Sequence, residues 1–334
     1  MVLEPQVLEG SVKFRFSVVI PVYNRARFLR QAIDSVLSQT FTDFEVIAVD
    51  DGSTDESPEI LRSYGSRIKV VRQENQGPEV ARNTGVAVAQ GEYIAFLDSD
   101  DFFFPHTLES YERVIQAFDA PPMIVGAELY FRHGQEIPKK AYEPGPLEVI
   151  SFKDYLSKTM SILCCQSILA MRRSVFEEVG GHRGKDAETW YGETFDLLLK
   201  TGTYGPCVFI KKPYTFAYRV HESNSIRNVH SHAKGILYLA RLERQGSYPG
   251  GSQRRLDRYA IIGGVASTWA WRYCWRGKQR MLAIRLLLGT APMVLAALLK
   301  KVLRHFSKPP QTIILPEVQP QSESQLEMSI PESR

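Results

Sequence analysis

Short apolar runs alternate with amphipathic stretches through the first hundred residues. Residues 16–23 (FSVVIPVY) are apolar and β-branched, which predicts a buried strand. From Leu29 to Leu37 the apolar side chains recur every three or four positions, which predicts one face of a helix. Residues 45–49 (EVIAV) predict a second strand. Together these three elements predict a βαβ unit.

The same alternation continues to residue 101. Ser57 followed by Pro58 predicts the start of a second helix. A strand is expected over 69–72, a helix after Gly77, and a fourth strand over 93–97. Alternating strands and helices predict an α/β fold with a mostly parallel central sheet. Ligands of such sheets bind beyond the carboxyl ends of the strands.

Composition sets broad limits on the class of protein. The chain has 334 residues, of which 44% are hydrophobic, enough for one large domain with an appendage or for two domains. A disulfide miniprotein and a fully disordered chain are excluded. The four cysteines show no CxxC spacing, which favours reduced thiols and a cytosolic compartment. The first ten residues lack a basic region before an apolar core, so we expect no signal peptide.

Charge is distributed unevenly along the chain. Residues 232–308 contain 15 Lys and Arg but only two acidic residues, and aromatic residues lie among the basic ones. The uncharged run 286–299 is shorter than the roughly 20 residues that cross a bilayer. We therefore expect a helical, basic segment that associates with a membrane surface, and no nucleic-acid partner. The alternative is a pair of helices packed on the main domain.

Two acidic clusters follow predicted strands. Residues 50–55 read DDGSTD and residues 98–101 read DSDD. Carboxylates that converge on one sheet edge repel each other unless solvent, protons or a cation offset their charge. Mg²⁺ or Mn²⁺ would do so, with phosphate oxygens and water as further ligands. Neither a GxGxxG nor a GxxxxGK[ST] motif is present, which argues against dinucleotide-binding and P-loop proteins.

A set of motifs in this order resembles the inverting family 2 glycosyltransferases with the GT-A fold, a Rossmann-like nucleotide-sugar-binding domain. The motifs of the first half are PVYNR, SVLSQTF, VDDGSTD, ARNTG and GEYIAFLDSDD. Further on, VGGH, GETFDLLLK and YRVHESNSI resemble the acceptor-side motifs of that family. The resemblance covers about residues 14–228.

The resemblance implies a nucleotide site at the end of the first two strands. Pro21 and Tyr23 match contacts to the nucleotide base. Asp50 and Asp51 fall in the nucleotide-binding cluster, and Asp51 matches the residue that binds the base.

The resemblance also implies a diphosphate and metal site. Arg82 and Asn83 match contacts to the nucleotide or its phosphates. Asp98 and Asp100 match the DXD motif, with Asp98 near the ribose and Asp100 on a Mn²⁺ or Mg²⁺ ion that bridges the phosphates. His221 matches a histidine that closes over the diphosphate or the metal.

The catalytic base is where this chain departs from the family pattern. Family members usually carry Glu-Asp before a short apolar helix, but here the pair is Glu193-Thr194. A threonine hydroxyl has the wrong pKa to act as a general base near neutral pH. Glu193 is our predicted base. Asp196, Asp186 and Glu188 are alternatives, and a chain that binds the donor without transferring it is a further one.

These inferences predict a metal-dependent glycosyltransferase. It would transfer a sugar from a nucleotide-diphospho-sugar, expected to be a UDP-sugar, to a hydroxyl of a glycan or lipid-linked acceptor, in one inverting displacement. We expect an N-terminal extension (1–13), the GT-A domain (14–231), the membrane-associating segment (232–308) and a disordered tail (309–334).

The expected location is cytoplasmic, peripheral on the inner membrane face, in cell-surface polysaccharide biosynthesis. The main alternative is a nucleotide-sugar-binding protein with weak or no activity. A nucleotidyltransferase is disfavoured because it would need a glycine-rich basic loop after the first strand, and residues 21–27 contain no glycine.

Overall fold

The computed structural model describes residues 13–158, 165–184, 192–224, 228–306 and 309–316. Within them, a nine-stranded sheet is flanked by helices, and a three-stranded sheet lies beside it. The predicted α/β class is confirmed.

The strands are β1 (Phe14–Val22), β2 (Phe44–Asp50), β3 (Lys69–Arg72), β4 (Gly91–Phe96), β5 (Phe102–Phe103), β6 (Met123–Val125), β7 (Glu128–Arg132), β8 (Leu147–Phe152), β9 (Leu169–Arg172), β10 (Cys207–Lys212), β11 (Phe216–Val220) and β12 (Ile313–Leu315). The helices are α1 (Ala26–Leu37), α2 (Ser57–Ser63), α3 (Pro78–Ala87), α4 (Thr107–Ala117), α5 (Arg173–Glu178), α6 (Glu193–Lys200), α7 (Val229–Arg244), α8 (Arg255–Trp269), α9 (Arg280–Gly289) and α10 (Ala291–His305).

The first four strands form the parallel half of the large sheet. They lie in the order β3-β2-β1-β4, and each neighbouring pair is parallel. Val22 at the end of β1 pairs with Asp50 at the end of β2. β4 ends at Phe96, directly before the second acidic cluster. The carboxyl ends of these strands therefore bring both acidic clusters to one edge, as predicted.

The other half of the large sheet is mixed. β9 runs antiparallel to β4 and to β6, β10 is parallel to β6, and β8 is antiparallel to β10. The small sheet, in the order β5-β11-β7, begins one residue after Asp101. Asp101 accepts hydrogen bonds from the Arg219 amide on β11 (2.9 Å) and the Ser167 hydroxyl (2.9 Å). These bonds attach the small sheet to the second acidic cluster.

Helices close the chain after the two sheets. α8 continues into a π-helical turn, Ala270–Trp275. α9 and α10 meet at an angle of 80°, so the uncharged run 286–299 is divided between two helices. Within the described residues no single helix is long and apolar enough to cross a bilayer, and this bent pair meets that test only together. α10 packs on α8. This contact fits, in part, the alternative in which the C-terminal helices pack on the main domain and do not bind a membrane.

The predicted disordered tail needs a correction in its first residues. Ile313–Leu315 forms the edge strand β12, antiparallel to β8, with Ile313 opposite Val149. The guanidinium of Arg113 donates to the carbonyl oxygens of Leu315 and Pro316. A short β-branched run can pair with an exposed sheet edge even when its flanks are polar. Residues 317–334 lie outside the described part, as do residues 1–12 of the predicted extension.

Gly263 on α8 allows α10 to approach closely. A Cβ at this position would lie 1.9 Å from the Met293 carbonyl oxygen, whereas a Cβ at the neighbouring Gly264 would meet nothing within 4 Å. We expect Gly263→Ala to lower the free energy of unfolding by about 1–3 kcal/mol through overpacking. Gly264→Ala should be neutral or stabilising by up to about 1 kcal/mol, through helix propensity. Urea unfolding of the two variants checks this, and equal effects would contradict it.

Candidate active site

A cavity of about 840 Å³ opens at the carboxyl edge of the parallel strands. Its walls come from β1, the loop after β4, α3, the small sheet, and helices α6 to α8. Seven residues that the sequence singled out line it: Pro21, Tyr23, Asp51, Arg82, Asp98, Asp100 and Glu193. The other three, Asp50, Asn83 and His221, do not line it, and His221 contacts the lining residue Asp100.

Asp51 shapes the end of the cavity at β1 and β2. Its carboxylate is buried and accepts hydrogen bonds from the Gln73 side chain (2.7 Å) and from the amides of Gln76 and Gly77 (both 2.8 Å). These bonds hold the loop that leads into α3 against the sheet edge. Tyr23 lies on the same wall with 45% of its surface exposed, so its ring is available for stacking with a planar group.

Asp50 and Asn83 hold loops and do not line the cavity. Asp50 accepts from the Ser53 amide (2.9 Å) and pairs with Arg72 (3.5 Å), which stabilises the turn after β2. The Asn83 side chain donates to the His182 carbonyl (2.8 Å) and accepts from the His182 amide (2.9 Å). Their roles in donor binding stay predictions.

Arg82 joins three elements at the bottom of the cavity. Its guanidinium, with 3% of the side chain exposed, donates to Asp98 Oδ1 (2.7 Å) and to Glu193 Oε1 (2.6 Å). Burial disfavours a charged guanidinium, but the carboxylates of Glu193 and Asp98 outweigh it and raise the pKa of Arg82. Arg82 therefore stays charged and connects α3, the loop after β4, and α6.

Glu79 lies one helical turn before Arg82 and was missed in the sequence. Burial, and then the negative charge of Glu193, raise the pKa of Glu79 to about 9, so Glu79 is protonated at neutral pH. Burial also raises the pKa of Glu193, although Arg82 opposes this. Glu79 and Arg82 are three positions apart in α3, a spacing that places both side chains on one face of the helix. This spacing is the signal in the sequence that could have indicated that Glu79 lies beside Arg82.

Asp100 is held between two basic side chains. Its Oδ2 lies 3.3 Å from Arg25 Nε and 3.1 Å from His221 Nε2. Burial opposes ionisation, but the His221 hydrogen bond and the Arg25 charge lower the pKa of Asp100. The Ser223 amide donates to His221 Nδ1 (3.3 Å), which leaves Nε2 as the nitrogen that carries the proton toward Asp100.

Asp100 and His221 are the residues that fit a divalent ion. In the described ranges, no three His, Cys, Asp or Glu side chains are close enough to hold one. A carboxylate facing an imidazole nitrogen at 3.1 Å would suit Mn²⁺ after that nitrogen gives up its proton, and a carboxylate with phosphates and water suits Mg²⁺. The predicted metal site therefore fits an ion whose remaining ligands come from a bound diphosphate and water.

The candidates for the catalytic base have different surroundings. Thr194 is buried, and its hydroxyl donates to Gln166 Oε1 (3.1 Å). Asp196 is buried behind the cavity, where it accepts from Arg183 (3.0 Å) and the Tyr248 hydroxyl (2.7 Å). Asp186 and Glu188 lie outside the described residues. Only Glu193, among the predicted bases that are described, lines the cavity.

A further carboxyl, Glu128 at the start of β7, also lines the cavity. No motif marks it in the sequence, because it comes from a strand whose placement depends on pairing with β11. Tyr130 and Tyr218, with ring centroids 5.1 Å apart, line the cavity as well.

Replacing Glu79 by Gln should change how stability depends on pH. The ordinary pKa of this carboxyl is 4.5 and its folded pKa is about 9, so between these values only the folded state holds the proton. Its contribution to the free energy of unfolding therefore falls as pH rises through this range. We expect Glu79→Gln to gain stability relative to the natural protein between about pH 6 and about pH 8.

Urea unfolding at several pH values measures this difference. The exposed Glu59→Gln is the matched control, for which we expect no such trend. A Glu79→Gln difference that stays constant with pH would contradict the protonated state of Glu79.

The family model "Glycosyl transferase family 2" matches residues 17–180. An uncharacterized glycosyltransferase of Nostoc sp. is 37% identical over 171 residues, which cover 49% of this chain and 53% of that protein. The glycosyltransferase GlyG of Streptococcus pneumoniae is 41% identical over 112 residues, covering 32% of this chain and 37% of GlyG. The chain thus spans about half the length, or less, of these curated relatives.

Solved structures share the fold at low sequence identity. TarS 1-349 of S. aureus in complex with UDP-GlcNAc superposes with a TM-score of 0.62 at 17% identity, covering 85% of this chain and 82% of that one. A mannosyltransferase of Pyrobaculum calidifontis, in complex with GDP-Man and Mn²⁺, gives 0.52 at 18% identity, covering 89% and 82%. Residues 17–180 of this chain thus match the glycosyl transferase family 2 model, and the chain shares the GT-A fold of these solved structures.

Proposed function

We propose that the chain transfers a sugar from a nucleotide-diphospho-sugar, with UDP-sugars as the first donors to test, to an acceptor hydroxyl with inversion. The observation that carries this proposal is the single cavity in which Asp51, Arg82, Asp98 and Asp100 meet at the edge of the parallel sheet. Nucleotide-sugar complexes of proteins with the same fold support the class of donor.

The donor would lie along the half of the cavity built by β1, α3 and the loop after β4. The exposed ring of Tyr23 would stack on the base beside the loop that Asp51 holds. Asp98, fixed by Arg82, would accept hydrogen bonds from the ribose hydroxyls. Arg25 and Arg82 place fixed positive charge on both sides of the carboxylates, where the negative diphosphate would bind.

Asp100 and His221 would hold Mn²⁺ or Mg²⁺, which supplies positive charge for the departing phosphate oxygen. The chain's own residues orient the reactants. The acceptor hydroxyl attacks the anomeric carbon in line with the bond to the diphosphate, and one displacement inverts that carbon. The sequence predicts that Glu193 accepts the proton of this hydroxyl, and this role stays a prediction.

The acceptor would enter from the side of the C-terminal helices. There the cavity wall includes Ile236 of α7 and Val265 and Trp269 of α8, which make it partly apolar. The ring of His232 stacks on Trp269 with 4.0 Å between centroids. An apolar wall beside a polar donor site fits a lipid-linked sugar or a glycan held at a membrane.

We further propose that this helical region binds the cytoplasmic face of a membrane, peripherally, and that the enzyme acts in cell-surface polysaccharide biosynthesis. Many large apolar side chains of the π-helical turn, α9 and α10 are exposed: Trp271, Trp275, Met281, Ile284, Leu287, Leu288, Leu295, Leu298, Leu299, Val302, Leu303 and Phe306. Residues 270–308 contain nine Lys and Arg and no acidic residue. An apolar face with basic neighbours is complementary to anionic lipid.

A nucleotide-sugar-binding protein without transfer is the second candidate. It is favoured by Thr194, whose hydroxyl donates to Gln166 at the position where the family pattern has a carboxylate. The two candidates differ in turnover and not in donor binding.

Asp100→Asn should lower transfer by about 10²- to 10³-fold, because it removes the carboxylate that would hold the divalent ion at the departing phosphate. The assay is release of nucleoside diphosphate from UDP-, GDP- and dTDP-sugars with Mn²⁺ and membrane lipid as the source of acceptor. Asp43→Asn, on an exposed loop, is the control that should keep full activity. Donor binding without release under every acceptor condition would support the second candidate.

Replacing Leu288, Leu295 and Phe306 together by Ser should abolish binding to vesicles of phosphatidylglycerol. These side chains are 72%, 67% and 85% exposed, so the change should leave folding intact. Flotation with anionic and with phosphatidylcholine vesicles measures binding, and Val70→Ser, an exposed apolar residue on β3, is the control. Equal flotation of the triple variant and the natural protein would contradict the membrane proposal.

A further inference from the structure

The cavity contains five acidic side chains, and four of them are already engaged. Asp51 accepts three N–H donors, Asp98 pairs with Arg82, and Asp100 pairs with Arg25 and His221. Glu193 pairs with Arg82 at 2.6 Å. The fifth is Glu128, which forms no ion pair with any described residue.

We propose that Glu128, and not Glu193, is the general base that accepts the proton of the acceptor hydroxyl. This assignment rests on the proposed function and concerns the same cavity. It explains how a chain with Thr194 in place of an acidic residue could still assist the nucleophile with a carboxylate.

The carboxylate of Glu193 is engaged within the protein. Burial raises the pKa of Glu193, but its Oε1 accepts a hydrogen bond from the Arg82 guanidinium at 2.6 Å, so this oxygen already has a partner. Its other oxygen, Oε2, is buried, and the Glu79 carboxyl lies beside Glu193. Protonation of Glu193 would also weaken the bond that fixes Arg82 beside Asp98. Glu193 is therefore a positioning residue for Arg82.

Glu128, in contrast to Glu193, has no ion pair with a described residue. Its Oε2 is buried and accepts no hydrogen bond from any described residue. Burial raises the pKa of Glu128 to about 7, and a hydrogen bond from Tyr130 opposes the rise in part. A general base works best when its pKa lies near the pH of the solution, because it is then ionised and still has a high proton affinity.

Other titratable groups lie around Glu128 on each neighbouring element. Glu128 also borders a second cavity, of about 620 Å³. The other titratable and charged residues that line the second cavity are Lys158, Lys211, Tyr214, Arg272 and Arg304, and Tyr130, Cys165 and Tyr218 line the first. None of them forms a described ion pair with Glu128, so its pKa is governed by burial and by Tyr130.

Two aromatic rings next to Glu128 give the acceptor a place to bind. Tyr130 follows Glu128 by two residues on β7, so both side chains project from the same face of that strand. Tyr130 is 50% exposed, and its ring lies 5.1 Å from that of Tyr218. Sugar rings pack on exposed aromatic faces while their hydroxyls reach polar groups at the edge. Glu128, on the same strand face as Tyr130, is such a polar group.

In the proposed step, one proton moves to Glu128 and one electron pair leaves with the nucleoside diphosphate. The acceptor oxygen forms a bond to the anomeric carbon as its proton moves to the Glu128 carboxylate. The bond from that carbon to the phosphate oxygen breaks, and its electron pair leaves with the nucleoside diphosphate. The protonated Glu128 then returns its proton to solvent through the open cavity.

The test compares the full chain with Glu128→Gln, Glu193→Gln and the control Glu136→Gln, an exposed residue in the loop after β7. The measurements are kcat and KM for transfer across pH, and donor affinity by calorimetry with a UDP-sugar and Mn²⁺. We expect Glu128→Gln to lower kcat by about 10²- to 10⁴-fold with donor affinity unchanged. In the natural protein, kcat should fall below about pH 7 as Glu128 becomes protonated. The residual activity of Glu128→Gln should not show this fall.

Glu193→Gln should weaken donor affinity, because Arg82 loses a partner, and keep the pH dependence of kcat. Glu128→Asp should retain partial activity, which shows that the site folds. The assignment is overturned if Glu128→Gln keeps kcat, if it changes KM alone, or if Glu193→Gln is the variant that loses the pH dependence. Absence of turnover in the natural protein with every donor would instead overturn the proposed function, on which this inference rests.

Discussion

The Arg82 guanidinium between Asp98 and Glu193 is the interaction on which the site depends. The parallel sheet brings two acidic clusters to one edge, and this concentration of negative charge needs compensation inside the protein. Arg82 supplies it from within, at 2.6–2.7 Å from two carboxylates that come from distant parts of the chain. A protonated Glu79 keeps a further negative charge out of the same space. Ion pairs within the protein therefore hold Asp98 and Glu193 in place without a ligand.

The two sides of the cavity have different origins. The proposed donor side is made by strands and helices of the region that matches the family 2 model, where the order of elements follows the parallel sheet. The proposed acceptor side is made by the small sheet and by α6, α7 and α8. Because α8 also packs on α10, the apolar wall of the cavity and the exposed apolar helices belong to one continuous helical region. This continuity connects our proposals for the acceptor and for the membrane.

Periodicity and motifs predicted the first half of the fold closely. The strand over 69–72 matches β3 at both ends, and the three other predicted strands match β1, β2 and β4 within two residues. Local pattern is sufficient there because each βαβ unit forms between neighbouring segments. The second half depends on pairing between distant segments, such as β12 with β8, for which a three-residue run carries no local signal.

The same distinction applies to the site. Motifs identified Asp51, Asp98 and Asp100, which follow predicted strands. They also selected Asp50 and Asn83, whose side chains hydrogen-bond to neighbouring loops and do not line the cavity. Glu128 was missed because its place in the cavity comes from burial and from strand pairing with β11, which sequence spacing does not encode.

A crystal structure of the chain with a UDP-sugar and Mn²⁺ tests the central claim most directly. Our account predicts the base beside Tyr23, the diphosphate between Arg82 and Asp100, and the anomeric carbon facing the half of the cavity that contains Glu128. A nucleotide bound outside this cavity, or an anomeric carbon turned away from the acceptor side, would contradict it.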